Sequence, residues 1–120
     1  MSLRTFTANL TQSTGASGTT TWFYVGEMAK ISMIVGVTGD GSAAGTVSVN
    51  VSNDVATGGG SMMSFTPSTS FTLASPSVTV SGNGVQAVTP LDIAYQWMQI
   101  VYTRSAGTGG VVSATISGHD

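Results

Sequence analysis

One stretch of this sequence decides the fold: Thr46-Val47-Ser48-Val49-Asn50-Val51-Ser52. Three valines alternate with short polar residues, so in an extended chain the valines share one face and the polar groups share the other. Strict alternation of this kind is typical of a β-strand that lies on a core with one face and meets water with the other. The stretch therefore predicts a half-buried strand.

A second strand precedes it at residues 30–37, where apolar side chains again recur at every other position. Ile34 is the exception, because it falls on the opposite face, and we expect a partner or a second layer to cover it. The stretch between the two strands, residues 38–45, is rich in glycine, which permits the positive φ angles of turns. These features predict that the two strands form a hairpin.

Two more hairpins are predicted further along the chain. Residues 78–80 and 85–88 flank a stretch that contains the turn dipeptide Asn83-Gly84. Aromatic and β-branched residues fill residues 94–103, and residues 111–116 follow after a glycine-rich connection. Pro90 supplies no backbone donor, so we expect it to stop the preceding strand from continuing as a central one.

The remaining segments complete an all-β pattern. Residues 4–10 and 19–25 are predicted strands, residues 1–10 being an arm or an edge strand, and residues 56–70 are predicted to be a long loop with short strands. No window shows a sustained helical period. We therefore predict one domain spanning residues 1–120, an antiparallel β-sandwich or jelly roll of about seven to nine short strands.

Charge is scarce in this chain. Three Lys and Arg residues stand against five Asp and Glu, 7% of the sequence, where an ordinary soluble domain has about 25%. Monomeric proteins usually stay in solution because their surfaces carry charge, and lysine or proline in their edge strands prevents pairing with other chains. We therefore expect a homo-oligomeric subunit that works inside an assembly; the alternative is a monomer that hydroxyls and amides keep soluble.

Several classes of protein are excluded by composition. Without cysteine there is no disulfide, no thiolate nucleophile and no cysteine metal site. The first residues turn polar at once, so we expect no secretory signal, and apolar stretches such as residues 33–37 fall far short of the roughly 20 residues of a membrane helix. A net charge of −2 with scattered Arg4, Lys30 and Arg104 argues against nucleic acid.

Residues that could carry catalysis are isolated. His119 is the only histidine, and we expect it to be a solvated residue of the tail. The carboxylates are dispersed along the chain: Glu27, Asp40, Asp54, Asp92 and Asp120. We therefore expect no enzyme and no cofactor.

Three polar stretches could be interpreted as ligand sites. Asp40-Gly41-Ser42 and Asn53-Asp54 offer oxygens to a calcium ion, but their spacing is not that of an EF-hand, and turn chemistry explains them better. Gly107-Thr108-Gly109-Gly110 has the glycines of a phosphate-binding loop without its lysine or its strand-to-helix setting. We expect plain turns and no metal at these positions.

Contacts with a partner are predicted for aromatic, apolar and N-terminal side chains. Exposed rings anchor interfaces or stack on sugars, and methionine adapts to irregular surfaces. The alternative for the aromatic and methionine residues is a place in the core. The candidates are Arg4, Phe6, Trp22, Tyr24, Ile34, Met62, Met63 and Trp97.

Two stretches carry a family resemblance: Val47-Ser48-Val49-Asn50-Val51-Ser52-Asn53-Asp54, and the stretch from Trp97-Met98-Gln99-Ile100-Val101-Tyr102 through residues 107–110 into the terminal strand. Over about residues 30–118 the chain resembles the small β-sandwich virion proteins of tailed bacteriophages, particularly head decoration or cement proteins. Similar chains continue after Ser-Asn-Asp with glycine and tryptophan, whereas Val55-Ala56-Thr57 follows here.

The resemblance implies a non-enzymatic protein that is made in the host cytoplasm, binds the capsid surface of the virion and clamps the major capsid protein or other virion proteins. Few charges imply that attachment depends weakly on salt. Two alternatives stay open. One is a tail, neck or fibre component, and the other is a carbohydrate-binding β-sandwich module, which requires Trp22 or Trp97 to be exposed.

Overall fold

The computed structural model describes residues 5–26, 28–54, 66–67, 69–92 and 95–119. This part of the chain is built from strands and turns and contains no helix, hence none that could cross a membrane. Its strands are β1 (Thr5–Ser13), β2 (Gly18–Thr19), β3 (Phe23–Tyr24), β4 (Lys30–Thr38), β5 (Ala44–Ser52), β6 (Phe71–Ser81), β7 (Gly84–Asp92), β8 (Trp97–Ala106) and β9 (Val111–His119).

These strands form two antiparallel sheets. Sheet A has the order β1-β9-β4-β7, and sheet B has the order β2-β8-β5-β6, with β3 also paired to β8. Because β2 and β3 both lie along β8, they act as one interrupted strand, and each sheet is four strands wide. The predicted all-β sandwich is confirmed.

The three predicted hairpins are wrong. β4 lies in sheet A and β5 in sheet B, and the pairs β6/β7 and β8/β9 are divided between the sheets in the same way. Apart from the step between β2 and β3, the β5–β6 connection alone joins two strands of one sheet within the described strands. This strand order is that of a jelly roll.

The physical reason lies in what a turn residue specifies. Glycines at positive φ, such as Gly39 (φ 78°) and Gly82 (φ 72°), allow the chain to reverse. They do not decide whether the returning strand pairs edge to edge or packs face to face. In the β4/β5 and β8/β9 pairs both strands present apolar residues inward, so the two strands of each pair pack across the core in opposite sheets.

The core lies between the inward faces of both sheets. On β5 the three valines of the deciding stretch are fully buried, and they lie opposite Met98, Ile100 and Tyr102 of β8. Each such side chain contributes about 1.5–3 kcal/mol when fully buried. Sheet A supplies the other wall, with Ile31, Met33, Val35 and Val37 from β4 and Val112, Ala114 and Ile116 from β9.

Strand boundaries differ from prediction in several places. β1 runs to Ser13 and is an edge strand of sheet A. The predicted strand at 19–25 is broken into β2 and β3, and β7 continues through Pro90 because it too is an edge strand, where a missing donor costs no ladder bond. Most of the predicted loop at 56–70 lies outside the described residues.

Candidate functional site

Four connections meet at one end of the sandwich: residues 14–17, 39–43, 82–83 and 107–110. They meet because β1, β4, β6 and β8 all finish at this end, as the strand registers show. Asp40 lies at the centre and is 6% exposed. We call the group formed by Thr14, Asp40, Ser42, Asn83 and residues 108–110 the Asp40 cluster.

Both oxygens of the Asp40 carboxylate accept hydrogen bonds from within the chain. Oδ1 accepts from the Ser42 amide at 2.9 Å and from the Ser42 hydroxyl at 2.6 Å. Oδ2 accepts from the Thr14 hydroxyl at 2.7 Å, and from the amides of Thr108 at 2.8 Å and Gly109 at 3.3 Å. One carboxylate therefore ties together three connections.

Further bonds close the Asp40 cluster. The Asp40 amide donates to Asn83 Oδ1 at 2.9 Å, which brings in the β6–β7 connection. The buried Thr14 hydroxyl accepts from the Gly110 amide at 2.8 Å, and the Thr14 amide donates to the Gly110 carbonyl at 3.1 Å. All four connections at this end are thus joined through Asp40 and Thr14.

The electrostatics of the Asp40 cluster follow from these donors. Hydrogen bonds from Ser42, and then from Thr14 and Thr108, hold the pKa of the Asp40 carboxyl well below its usual value of 3.8, against the opposing effect of burial. The carboxylate is therefore ionised at every pH near neutrality. A group in this state has no proton to give as a general acid, and its lone pairs are engaged by the fold.

The glycine-rich stretch 107–110 does bind an anion, and that anion is Asp40. Amides of Thr108 and Gly109 converge on one carboxylate oxygen, as loop amides do on phosphate. Asp40 was predicted to form hydrogen bonds within a turn, and its bonds to Ser42 confirm this. The bonds to Thr14 and Thr108 were not predicted, because no local pattern connects positions so far apart in the chain.

The opposite end of the sandwich is organised around Trp97. This side chain is 2% exposed, and its Nε1 donates to the Asp54 carbonyl at 3.0 Å. The ring of Tyr24 lies edge-on to it, with centroids 5.5 Å apart and planes at 72°. Trp97 is therefore not an exposed partner contact, because Tyr24 of β3 and the segment after β5 cover its side chain.

The other predicted contacts are distributed over separate surfaces. Tyr24 is 41% exposed and Trp22 is half-buried, both beside β8, whereas Ile34 is 53% exposed on the outer face of sheet A. Ile34 lies on the outward face of β4, as the alternation predicts, and its cover by a partner stays a prediction. Three candidates, Arg4, Met62 and Met63, lie outside the described residues, and so does the side chain of Phe6, whose backbone belongs to β1.

A polar ladder crosses the outer face of sheet B. Thr72 donates to Asn50 Oδ1 at 2.6 Å, Asn50 Nδ2 donates to Gln99 Oε1 at 3.1 Å, and Gln99 Nε2 donates to the Thr20 carbonyl at 2.9 Å. The ladder joins β6, β5, β8 and the segment after β2. Because these side chains bond to one another, they stabilise the sheet more directly than they offer a ligand site.

The outer face of sheet A is different, because it exposes apolar groups among hydroxyls. Ile34 lies directly opposite the exposed Ala87, and Val85, which is 75% exposed, lies opposite Gly36. Outward positions of β9 include Ser113, Thr115 and Ser117, and charge enters only with Lys30 and its exposed partner Asp92, 3.3 Å apart, at one end of the described face.

Three of the four sheet edges in the described part carry features that discourage a further strand. β6 contains Pro76 and a register shift, β7 contains Pro90 and a register shift, and the edge along β8 is interrupted between β2 and β3. β1 carries none of these. Its nine residues pair with β9 without a shift, and the strand contains neither proline nor a charged residue.

One cleft in the described part has room for about one water molecule. This cleft lies between β6 and β7 and has a volume of about 20 Å³. At the cleft, Gln86 Nε2 donates a hydrogen bond to the Thr79 carbonyl at 3.0 Å. No three His, Cys, Asp or Glu side chains cluster as metal ligands within the described ranges. His119 is exposed, but it ends β9 in register with Thr5 and Lys30, so the predicted tail position is wrong.

Comparison with protein-family models, curated proteins and solved structures finds no match to this chain. Within the described residues, the open edge of β1 and the outer face of sheet A are the surfaces best suited to contact a protein. Both were partly foreseen, since residues 1–10 were predicted to be an arm or an edge strand and Ile34 was predicted to need a cover.

Proposed function

We propose that this protein is a non-enzymatic structural subunit of a virion, a decoration protein that binds and stabilises the head shell of a tailed bacteriophage. One observation carries the proposal: the outer face of sheet A exposes hydroxyl, amide and apolar side chains, and its charge is confined to the Lys30–Asp92 end of the described face. Outward residues of β1 are Thr7, Asn9, Thr11 and Ser13, and all four are exposed.

The chemistry of this face suits a protein partner. Burying a hydroxyl or an amide costs far less than burying an ion, provided that a hydrogen bond replaces water. A partner that docks on this outer face has almost no charge to desolvate, and Ile34 and Val85 add apolar area to it. Each contact can be modest, because a shell presents many equivalent sites.

The fold is compatible with this function without being specific to it. Jelly rolls occur in viral capsid proteins, in lectins and in cupins. In the described part, the Asp40 carboxylate is engaged by its own chain and the cleft holds about one water, so neither supports an enzyme. Burial of Trp97 weighs against the carbohydrate-binding alternative, which then depends on the half-buried Trp22.

Cosedimentation with phage heads tests the proposal. Purified protein is mixed with heads assembled from the major capsid protein of the phage that encodes it, the heads are pelleted, and bound copies are counted per capsid subunit. We expect saturable binding at a fixed ratio to the shell lattice, with little change between low salt and about 0.5 M salt. An unrelated β-sandwich protein of equal size serves as the control.

Other outcomes separate the alternatives. Binding to purified tails and not to heads would move the protein to the tail, neck or fibre. Binding to neither, together with a shift of tryptophan fluorescence on adding a glycan, would replace the proposal with a carbohydrate-binding module. Loss of head binding at moderate salt would contradict the expected uncharged contact.

A further inference from the structure

The edge of β1 is open in a way that the other edges are not. In an antiparallel sheet, alternate residues of an edge strand direct both the N–H and the C=O away from the sheet. Along β1 this row runs for nine residues without a shift, a proline or a charge. Such a row is a template for one more antiparallel strand.

The five central residues of β1, 7–11, are close to symmetric in side-chain type about the middle residue, Asn9. Reading outward, its exposed face has Thr7 and Thr11 on the two sides, while its inward face has the half-buried Ala8 and the buried Leu10. Two copies in antiparallel register about Asn9 therefore place threonine opposite threonine and a small apolar residue opposite a larger one. Both combinations suit cross-strand neighbours.

We propose that β1 is the self-association edge of this protein and that it pairs antiparallel with β1 of a second copy, about a two-fold axis at Asn9. Two A sheets then join into one sheet of eight strands. A two-fold contact uses the same patch on both copies, so the patch must not repel itself, and the uncharged β1 meets this condition. The inference does not rest on the protein's place in a virion.

The partner is a second copy because β1 is complementary to itself in pattern, in length and in charge. A strand of another protein would need no such symmetry about Asn9. The joined inward layer also continues the existing core, since Leu10 is 4% exposed and belongs to the hydrophobic cluster in the isolated chain. The outer layer continues the hydroxyl-rich face of sheet A.

The first experiment is sedimentation velocity over a concentration series with three proteins: the wild type, Asn9→Lys and Ala87→Lys. Ala87 is a matched control, because it is exposed on the outer face of the same sheet at the opposite edge strand, β7. We expect a wild-type dimer, a dissociation constant at least about tenfold higher for Asn9→Lys because two lysines meet at the axis, and no change for Ala87→Lys.

The second experiment uses the absence of cysteine from the chain. Opposed residues of antiparallel strands have Cβ atoms about 4.5–5.5 Å apart, which a disulfide can span after a small adjustment. Asn9→Cys is therefore expected to form a covalent dimer under mild oxidation, and Ala87→Cys is not. The Asn9 variants lose the bond that Thr115 donates to Asn9 Oδ1 at 3.2 Å, so a melting curve checks their folding.

Each remaining result overturns the proposal. The proposal is overturned if the wild type stays monomeric at its highest soluble concentration. It is also overturned if the two lysine variants have equal effects on association, or if the two cysteine variants cross-link equally. A monomer that binds heads through β1, with binding lost in Asn9→Lys, would leave the proposed function standing and assign β1 to a capsid strand instead.

Discussion

The two ends of this sandwich are held together by different physics. At one end, four connections meet around Asp40. Its carboxylate accepts hydrogen bonds from five donors in three of these connections, and its amide donates to the fourth. At the other end, Trp97 is packed against Tyr24, and its Nε1 donates a hydrogen bond to the Asp54 carbonyl. Both central side chains are almost fully buried.

The two ends differ in which amino-acid substitutions they tolerate. A carboxylate surrounded by fixed donors depends on its charge and on the direction of each bond, so a change of a single atom disturbs several connections together. A buried aromatic ring depends mainly on its area and shape, so a smaller ring keeps part of the stabilisation. The Asp40 end is therefore sensitive to charge and pH, and the Trp97 end to side-chain size.

Asp40→Asn is expected to have the largest effect, a greater loss of stability than any other single change described here. The substitution keeps the size but turns one acceptor oxygen into an NH2 group that faces donors. Thermal unfolding measures the loss. Asp92→Asn is the matched control, because Asp92 is 84% exposed in a surface ion pair and its replacement should change little. Equal effects of the two variants would contradict the central role of Asp40.

The dependence on pH sharpens the same contrast. Because the pKa of Asp40 is lowered in the folded state, its stabilisation is complete above the unfolded-state pKa, near 3.8, and decreases as the pH falls below that value. We expect the free energy of unfolding of the wild type to fall more steeply with acid than that of Asp40→Asn. Urea denaturation from neutral pH to below pH 3.8 measures both slopes, and identical slopes would refute the assignment.

Trp97→Ala tests the aromatic end. Removing a buried tryptophan costs about 3–5 kcal/mol of unfolding free energy, since it leaves a cavity. Trp97→Phe should recover part of this loss, because it keeps a ring against Tyr24 although it gives up the bond to Asp54 and part of the buried area. Urea denaturation measures both variants. A loss that depended on acid as strongly as the loss for Asp40→Asn would remove the contrast between the ends.

Thr14→Val is a finer test of the Asp40 end. The hydroxyl of Thr14 is fully buried, donates to Asp40 and accepts from the Gly110 amide. Valine has the same shape without the hydroxyl, so the loss should be about 1–3 kcal/mol of unfolding free energy. Thr14→Ser keeps the hydroxyl and should lose clearly less. Equal losses in the two variants would mean that packing, and not hydrogen bonding, holds this end.

Tyr102→Phe is expected to have the smallest effect, and it concerns the core between the two ends. The hydroxyl of Tyr102 is buried and has no hydrogen-bond partner among the described residues. Its removal should leave stability unchanged or raise it by about 1 kcal/mol, because an unsatisfied buried group is costly. A clear destabilisation, measured by urea denaturation, would show that the hydroxyl is satisfied in solution.

How far the sequence predicts this fold depends on the range of the interactions involved. Alternation along β5 and β4 predicts which residues face inward, because that is a property of a single extended strand, and the buried valines confirm it. The pairing of strands is a property of the whole chain. Glycine turns are shared by hairpins and by connections that cross the sandwich, so the three hairpins could not be told from crossings.

The same limit applies to the candidate site. Asp40 and Ser42 form a local turn that the sequence predicts, but Thr14 and Thr108 come from connections that only the jelly-roll order brings together. Alternation correctly places Trp97 on the face opposite Met98. The sequence left a partner contact and a place in the core open for Trp97, because Tyr24 and the segment after β5, which cover it, come from distant parts of the chain.

The strand order of sheet A also governs the timing of folding. β9, which follows the other described strands in the sequence, lies between β1 and β4. Until it arrives, β1 has no neighbour in its own sheet, and the pairing of Thr5 with His119 spans almost the whole chain. Contacts this distant in sequence make folding slow and leave strand edges exposed during synthesis. The sandwich can therefore close only once β9 has been made and inserted between β1 and β4.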